Sequence, residues 1–205
     1  MSSQPKGSLE RALQDPDYVD CTNYPGVQVD LRYGGTNNLL KRDVYSGFQS
    51  VLLHKIAAEK FAKACESLAR QSAHHHFLVF DALRPRSAQI EFWNLVKGSP
   101  QESFFANPEK GSIHSFGLAI DLSLCDLQKQ EIDMGTGFDD LTELAAPSKE
   151  NELYQSGRLT QNQIQNRQLL RNVMLAAGFF PISHEWWHFD ALKPAEVRAA
   201  FKQLE

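Results

Sequence analysis

Alternating hydrophobic and polar residues predict a β-strand between residues 118 and 124. The apolar positions are Leu118, Ile120, Leu122 and Leu124. Asp121 falls on the opposite face, as expected of a strand that turns one face toward a core. The apolar run Phe77–Phe80 predicts an interior strand, and the alternation over Val27–Tyr33 predicts a further one. These patterns indicate a sheet with at least one buried face.

Apolar residues at helical spacing predict two long helices. Between residues 46 and 69 they recur every three or four positions, which is typical of an amphipathic helix with one face on a sheet. Thr160 and Gln163 have the spacing of a capping box, which predicts the start of the second helix. Gly178 follows the last periodic residue of that helix and marks its end.

The order of the remaining elements predicts a single-domain α+β fold. Shorter helices are expected over residues 87–96 and just after Lys193, and residues 1–16 look like a loose arm. Residues 17–205 then form one domain, in which residues 126–158 are a long functional loop. Strands and helices follow one another without a regular βαβ rhythm. This pattern favours a mostly antiparallel sheet with helices on one side.

Composition limits the classes of function. The 205 residues are 42% hydrophobic and 22% charged, which is ordinary for one soluble domain. The net charge of -4, without a cluster of Lys and Arg, argues against nucleic acid as a partner. No apolar run approaches the about 18 residues of a membrane span, and the N-terminal residues lack a secretory pattern. Three cysteines without a CxxC pair suit a reducing compartment, so the expected location is the cytoplasm.

His114 and Asp121 flank a glycine and can both bind a metal. Seven extended residue steps span about 23 Å at about 3.3 Å each, so the two side chains share an ion only if the chain turns. Phe116-Gly117 is the expected turn, because glycine accepts backbone conformations that other residues resist. An isolated pair of this kind is more often a surface histidine and a loop-bonding aspartate.

A second stretch, Ser183–Asp190, supplies what such a site lacks. His188 is a third metal-capable residue, and Glu185 is a carboxylate three positions before it. Catalytic zinc commonly takes three protein ligands and keeps a fourth position for water, whose proton a nearby glutamate accepts. We therefore predict one zinc ion per chain, held at the sheet by His114, Asp121 and His188, with Glu185 as the general base.

His184, Glu185 and His188 also satisfy the HExxH pattern, in which both histidines bind zinc from one helical face. A helix is not expected here, because Gly178 ends the preceding helix and the aromatic residues after Pro181 favour an extended chain. We predict that His184 is not a ligand. Residues three apart fall on opposite faces of a regular strand, so a bend is expected between Glu185 and His188.

The two metal motifs resemble those of the zinc D-alanyl-D-alanine dipeptidases, which include the vancomycin-resistance type. This family lies within the group shared by lysostaphin-type and Hedgehog-type zinc domains. Further blocks in the same order extend the resemblance over about residues 28–190. These blocks are Val29–Tyr33, Phe80–Pro85 and Asp133–Asp139. The resemblance implies a zinc peptidase that hydrolyses a small dipeptide in cell-wall metabolism.

The resemblance also implies roles for further residues. Arg84 corresponds to the catalytic arginine that stabilises the oxyanion, although a structural ion pair with Asp81 is the alternative. The implied substrate-binding residues are Asp139 for the ammonium group, Ser112 for the carboxylate and Tyr33 as a wall of the pocket. Each has a plain structural alternative, such as a solvated loop acid, a turn-former or a core aromatic.

One segment departs from the family. Around Asn38–Lys41 an aromatic residue and a glycine are expected after the asparagine, and neither is present. Two other functions therefore stay open. One is a related zinc D,D- or L,D-carboxypeptidase or amidase that acts on peptidoglycan stems. The other is a non-catalytic, Hedgehog-like zinc-binding module, against which the presence of Glu185 and Arg84 argues. The oligomeric state is not predicted.

Overall fold

A five-stranded sheet lies at the centre of the protein. The computed structural model describes residues 5–99, 102 and 106–205. From one edge to the other the strands are β2 (Val27–Val29), β4 (His75–Asp81), β5 (Ala119–Asp126), β7 (His188–Asp190) and β6 (Phe180–Pro181). The pair β2 and β4 is parallel and the other three pairs are antiparallel. β1 (Tyr18–Asp20) and β3 (Leu52–His54) form a separate antiparallel ribbon. The α+β class and the mostly antiparallel sheet are thus confirmed.

The strand predicted over residues 118–124 is β5, and it is buried on both faces. Leu122 and Leu124 are fully buried on one side, as the alternation predicts. On the other side Ala119, Asp121 and Ser123 are also buried. A polar face that is buried next to the core is unusual for a half-exposed strand, since buried polar groups need partners. This face therefore belongs to an interior site.

Two long helices cover one side of the sheet. These are α2 (Lys55–Gln71) and α5 (Gln161–Ala176), which contact each other and the strands β4 and β5. The capping box of Thr160 and Gln163 is present. α2 begins later than the predicted residue 46, because Ser46 and Gly47 have the positive φ angles 51° and 75°, which a helix excludes. In the described ranges, no helix has the length and the apolar composition that crossing a bilayer requires.

The expectation of a loose N-terminal arm is wrong for residues 5–12. Pro5–Ala12 form the helix α1, which contacts α3 (Arg86–Val96). Leu9 and Ala12, three positions apart on one helical face, are buried in a hydrophobic cluster with Phe92. Residues 1–4, the first part of the predicted arm, lie outside the described residues. At the other end of the chain, α6 (Pro194–Ala200) follows β7 as predicted.

The segment 126–158 is only partly a loop. It contains two short 3-10 turns (Glu143–Ala145 and Pro147–Lys149) and the helix α4 (Glu150–Gln155). The buried Arg167 of α5 holds this segment: its Nε donates to the carbonyl of Met134 at 2.6 Å and its Nη2 to the carbonyl of Leu144 at 2.9 Å. The stretch between these two carbonyls, which contains Asp139, is therefore anchored at both ends.

Candidate active site

The register of the sheet aligns three ionisable residues. Asp81 of β4 pairs with Asp121 of β5, and Asp121 pairs with His188 of β7. Residues that are directly opposite in a sheet point to the same face. A register shift between Val79 and Asp81 comes just before the first pair, and such irregularities re-aim side chains next to active sites. The sheet thus gathers two carboxylates and an imidazole on one face.

A tight turn brings His114 to the same place. Ile113–Phe116 form a 3-10 helix that ends at Gly117, whose φ is +67° and whose N–H donates to the carbonyl of His114. A Cβ atom at Gly117 would lie 2.9 Å from the backbone nitrogen of His54, so both conformation and space require glycine. The turn places His114 Nε2 3.2 Å from Asp121 Oδ1. The predicted turn at Phe116-Gly117 is confirmed.

His114, Asp121 and His188 form a set that can hold one metal ion. His188 Nδ1 lies 2.9 Å from Asp121 Oδ1 and 3.2 Å from His114 Nε2, and one ligand atom from each residue lies within 4.8 Å of the others. Bonds of about 2.0 to 2.1 Å to a tetrahedral ion place its ligand atoms about 3.4 Å apart. Two imidazole nitrogens and one carboxylate oxygen at these separations fit a divalent metal such as zinc.

The second nitrogen of each imidazole has a partner that fixes the ring. His114 Nδ1 lies 2.8 Å from the carbonyl oxygen of Ala82, which accepts its proton. His188 Nε2 lies 2.9 Å from Asp190 Oδ1. These contacts leave His114 Nε2 and His188 Nδ1 to face the metal position. Sequence reasoning assigned no role to Asp190, although its position two residues after His188 on one strand places both side chains on the same face.

Electrostatics favour the anionic form of the carboxylate in this set. Burial alone raises the pKa of Asp121, but His114 and His188 outweigh it and lower the pKa well below the usual range. Burial alone lowers the pKa of His188, yet the carboxylates of Asp190 and Asp121 raise it well above its ordinary value. Such a concentration of negative charge around imidazoles attracts a cation.

Glu185 lies beside the metal set on a bent segment. Residues 183–184 and 186–187 are bends, and the segment is not helical. Glu185 Oε2 comes within 3.9 Å of His188 Nδ1, so the expected bend is present. Burial raises the pKa of Glu185 to about 8. The His184 side chain is 41% exposed, lies 3.7 Å from Glu185 and does not belong to the metal set. The helical HExxH arrangement is therefore absent from this segment.

Arg84 is both ion-paired and adjacent to the metal set. Its Nε donates to Asp81 Oδ2 at 2.7 Å, which is the structural ion pair considered from the sequence. Nη1 donates to Gln89 Oε1 at 3.0 Å. Nη2 lies 3.6 Å from Asp121 Oδ2. The guanidinium also lies 5.1 Å from the ring of Tyr33. These contacts hold a buried cation in a fixed orientation next to the metal set.

The three predicted substrate-binding residues lie near this cluster. The Tyr33 hydroxyl donates to Asp139 Oδ1 at 2.9 Å, and the backbone N–H of Leu39 donates to Asp139 Oδ2 at 3.1 Å. Burial raises the pKa of Asp139 to about 6. Ser112 precedes the 3-10 helix of His114, is buried, and makes no side-chain capping bond. Asp139 is thus a half-buried acid held by two donors, and it is not a fully solvated loop residue.

All eight predicted site residues line one cavity of about 280 Å³. They are Tyr33, Arg84, Ser112, His114, Asp121, Asp139, Glu185 and His188. Gln89, Asp190 and Arg198 also line it and were not predicted. Binding pockets for drug-sized ligands occupy about 300 to 1,000 Å³, so this cavity suits a small substrate. A metal set, a carboxylate and a fixed arginine around a small cavity can carry out hydrolysis with metal-activated water.

Comparison with known proteins identifies the family to which this chain belongs. The model of the family described as D-ala-D-ala dipeptidase matches residues 17–203. The D-alanyl-D-alanine dipeptidase of Escherichia coli (strain K12) is 34% identical over 167 residues, which cover 82% of this chain and 80% of the relative. The D-alanyl-D-alanine dipeptidase of Enterococcus faecium is 32% identical over 186 residues, which cover 80% and 85% of the two chains. The chain therefore belongs to the D-alanyl-D-alanine dipeptidase family and is a metallopeptidase.

Proposed function

We propose that this protein hydrolyses the dipeptide D-alanyl-D-alanine and that its metal is zinc. The observation that carries the proposal is the set His114, Asp121 and His188, with Glu185 3.9 Å from His188 in the same small cavity. The named activity of the relatives from Escherichia coli and Enterococcus faecium supports the choice of substrate. We assign one zinc ion to each chain.

The chain's own residues supply the proton transfers. A bound zinc ion acts as a Lewis acid and lowers the pKa of water toward neutrality. The Glu185 carboxylate accepts the proton of the attacking water and returns it to the nitrogen of the leaving alanine. Arg84 faces the developing negative charge on the carbonyl oxygen, because its guanidinium is fixed by Asp81 and Gln89 before substrate arrives.

The two ends of the cavity suit the two ends of a free dipeptide. Asp139, held by Tyr33 and by the backbone of Leu39, is the acceptor for the substrate ammonium. Ser112 is a donor for the substrate carboxylate. Leu39 belongs to the segment that departs from the family, but it contacts Asp139 through its backbone N–H, which its side chain does not alter.

We also place the enzyme in the cytoplasm. Cys21, Cys65 and Cys125 are buried and free. Burial raises the pKa of the Cys21 thiol to about 12, which makes it unreactive as a thiolate. Three free thiols of this kind suit a reducing compartment, where peptidoglycan turnover would supply a small dipeptide.

The test of the proposed function is a direct comparison of substrates. Purified zinc-loaded protein is incubated with D-alanyl-D-alanine, with L-alanyl-L-alanine and with a pentapeptide stem that ends in D-alanyl-D-alanine. We expect alanine release from the D,D-dipeptide alone. Release mainly from the stem would favour the carboxypeptidase alternative, whereas zinc binding without any release would favour the non-catalytic module.

Acetylation of the substrate amine should separate a dipeptidase from a carboxypeptidase. N-acetyl-D-alanyl-D-alanine lacks the ammonium charge that Asp139 is proposed to balance, and a carboxylate in the cavity is then left without its cation. We expect kcat/KM for the acetylated dipeptide to be lower than for the free dipeptide by a factor of about 100. Comparable rates in the same alanine-release assay would remove Asp139 from ammonium binding.

Replacing Arg84 by alanine should lower the rate and leave the metal in place. Loss of one oxyanion donor commonly reduces kcat by about 100- to 1,000-fold, since the contact forms mainly in the transition state. Because Asp81 is buried and would lose the arginine that pairs with its Oδ2, Arg84→Lys is measured in parallel to preserve the charge. Steady-state kinetics and zinc content check both variants. An unchanged kcat in Arg84→Ala would remove Arg84 from the mechanism.

A further inference from the structure

Arg198 of α6 lines the active-site cavity although no motif drew attention to it. The main chain holds its guanidinium. Nε donates to the carbonyl of Lys110 at 2.9 Å, and Nη2 lies 3.3 Å from the carbonyl of Gly111. A guanidinium carries five N–H donors, so several remain after these contacts. The backbone thus positions the side chain, and the guanidinium keeps further N–H donors for a ligand.

The charge of Arg198 is not balanced by a carboxylate of the protein. Within residues 5–99, 102 and 106–205, no Asp or Glu oxygen lies within 4.0 Å of Arg198. Arg84, the other arginine of the cavity, is paired with Asp81 at 2.6 Å. A cation that is oriented at a cavity wall but lacks a protein anion has its charge available for a ligand.

Arg198 lies beside the wall that carries Ser112. The carbonyls that hold the guanidinium belong to Lys110 and Gly111, the two residues just before Ser112. Asp139 comes from a different segment, where it is bonded to Tyr33. The cavity therefore has a wall with a cation and a hydroxyl, and another wall with a half-buried acid. A substrate with a carboxylate at one end and an ammonium at the other matches this distribution of charge.

We propose that Arg198, together with Ser112, binds the C-terminal carboxylate of the substrate and is a specificity-determining residue. This inference rests on the proposed peptidase function. A forked guanidinium suits a carboxylate, and a charge-assisted hydrogen bond is stronger than one between neutral groups. Its fixation by the Lys110 and Gly111 carbonyls reduces the conformational entropy lost when the substrate binds.

The competing explanation is that the contacts of Arg198 are purely structural. Arg198 also borders a shallower groove with Glu109, Lys202 and Glu205, and its contacts with Lys110 and Gly111 hold α6 to the turn before Ser112. Loss of these hydrogen bonds would disturb the site for every substrate. Recognition of a carboxylate would affect only substrates that carry one. The experiment therefore compares two substrates that differ in this charge alone.

The test compares D-alanyl-D-alanine with its C-terminal amide, D-alanyl-D-alaninamide, in wild type and in Arg198→Gln. We expect the variant to raise KM for the dipeptide by about 10-fold with little change in kcat, because the carboxylate is bound equally in ground and transition states. The amide should be a poor substrate of both proteins. Its kcat/KM should be less than about two-fold lower in the variant than in wild type. Arg198→Lys keeps the charge, so its KM for the dipeptide should lie between the values of wild type and Arg198→Gln.

The controls address folding and unspecific charge effects. Arg70→Gln removes an exposed helical arginine that does not line the cavity, and it should leave both substrates unaffected. Zinc content and melting temperature are measured for every variant. If kcat/KM of Arg198→Gln falls equally for the dipeptide and its amide, or falls for neither substrate, the proposed role of Arg198 is overturned. Failure of the wild type to hydrolyse the dipeptide would instead overturn the proposed function, and this inference with it.

Discussion

Replacing Glu185 by glutamine is expected to remove nearly all turnover while zinc stays bound. In the proposed mechanism the carboxylate takes a proton from water and is not one of the metal ligands, so its loss should affect proton transfer and not metal affinity. Removal of a general base commonly costs about 100- to 10,000-fold in rate. Glutamine has nearly the same shape, and the site around Glu185 is largely closed to solvent, with 17% of its side chain exposed.

Steady-state kinetics and zinc content measured on the same preparation check this expectation. Glu143→Gln is a matched control, because Glu143 pairs with Arg158 at the surface and does not line the cavity. Glu185→Ala, which also removes the bulk, should behave like Glu185→Gln. Loss of zinc from Glu185→Gln would show that Glu185 is a ligand and would contradict its assignment as base.

Substitutions in and around the metal set should separate metal ligands from residues that only lie near them. His114→Ala and Asp121→Ala each delete one of the three proposed metal ligands, and we expect both variants to bind zinc weakly or not at all. His184→Ala should retain zinc, because the His184 ring lies outside the metal set. Asp190→Asn should fall between these cases, with zinc affinity lower by about 10- to 100-fold, as for other partners that orient a ligand.

Competition with a chelator, followed by metal analysis of the purified variants, gives the order of zinc affinities. His184→Ala also serves as the control for removing an imidazole from this region. Loss of zinc from His184→Ala together with its retention in His114→Ala would contradict the metal set described above. That outcome would instead favour the HExxH arrangement. This arrangement requires a local helix in place of the observed bends.

Local sequence patterns predicted the parts of the fold that depend on local interactions. The strand β5 and the capping box of Thr160 follow from neighbouring residues, and both are present. The start of α2 was placed too early, because apolar periodicity continues through Ser46 and Gly47 while their backbone angles exclude a helix. α1 was missed, because its stability comes from packing against α3 and not from its own polar sequence.

In the candidate site, too, some residues are predicted by local motifs and others are brought in only by tertiary structure. His114, Asp121 and His188 stand in motifs with typical spacing, so their meeting could be predicted. The partners that orient them are distant in sequence or are backbone atoms, such as the carbonyl of Ala82 for His114. Arg198 lacks a motif altogether, and the carbonyls of Lys110 and Gly111, which are distant in sequence, hold it at the cavity wall. Contacts of this kind arise from tertiary structure and leave no local signal.

The origin of the ligands in distant parts of the chain has a consequence for folding. His114 and His188 are 74 positions apart, and their imidazole nitrogens meet only after β5 and β7 have paired. The unfolded chain offers no preformed site, so the free energy of metal binding becomes free energy of folding. A bound ion then acts as a reversible crosslink that closes this long loop. Its thermodynamic role resembles that of a disulfide, in a protein whose three cysteines are all free.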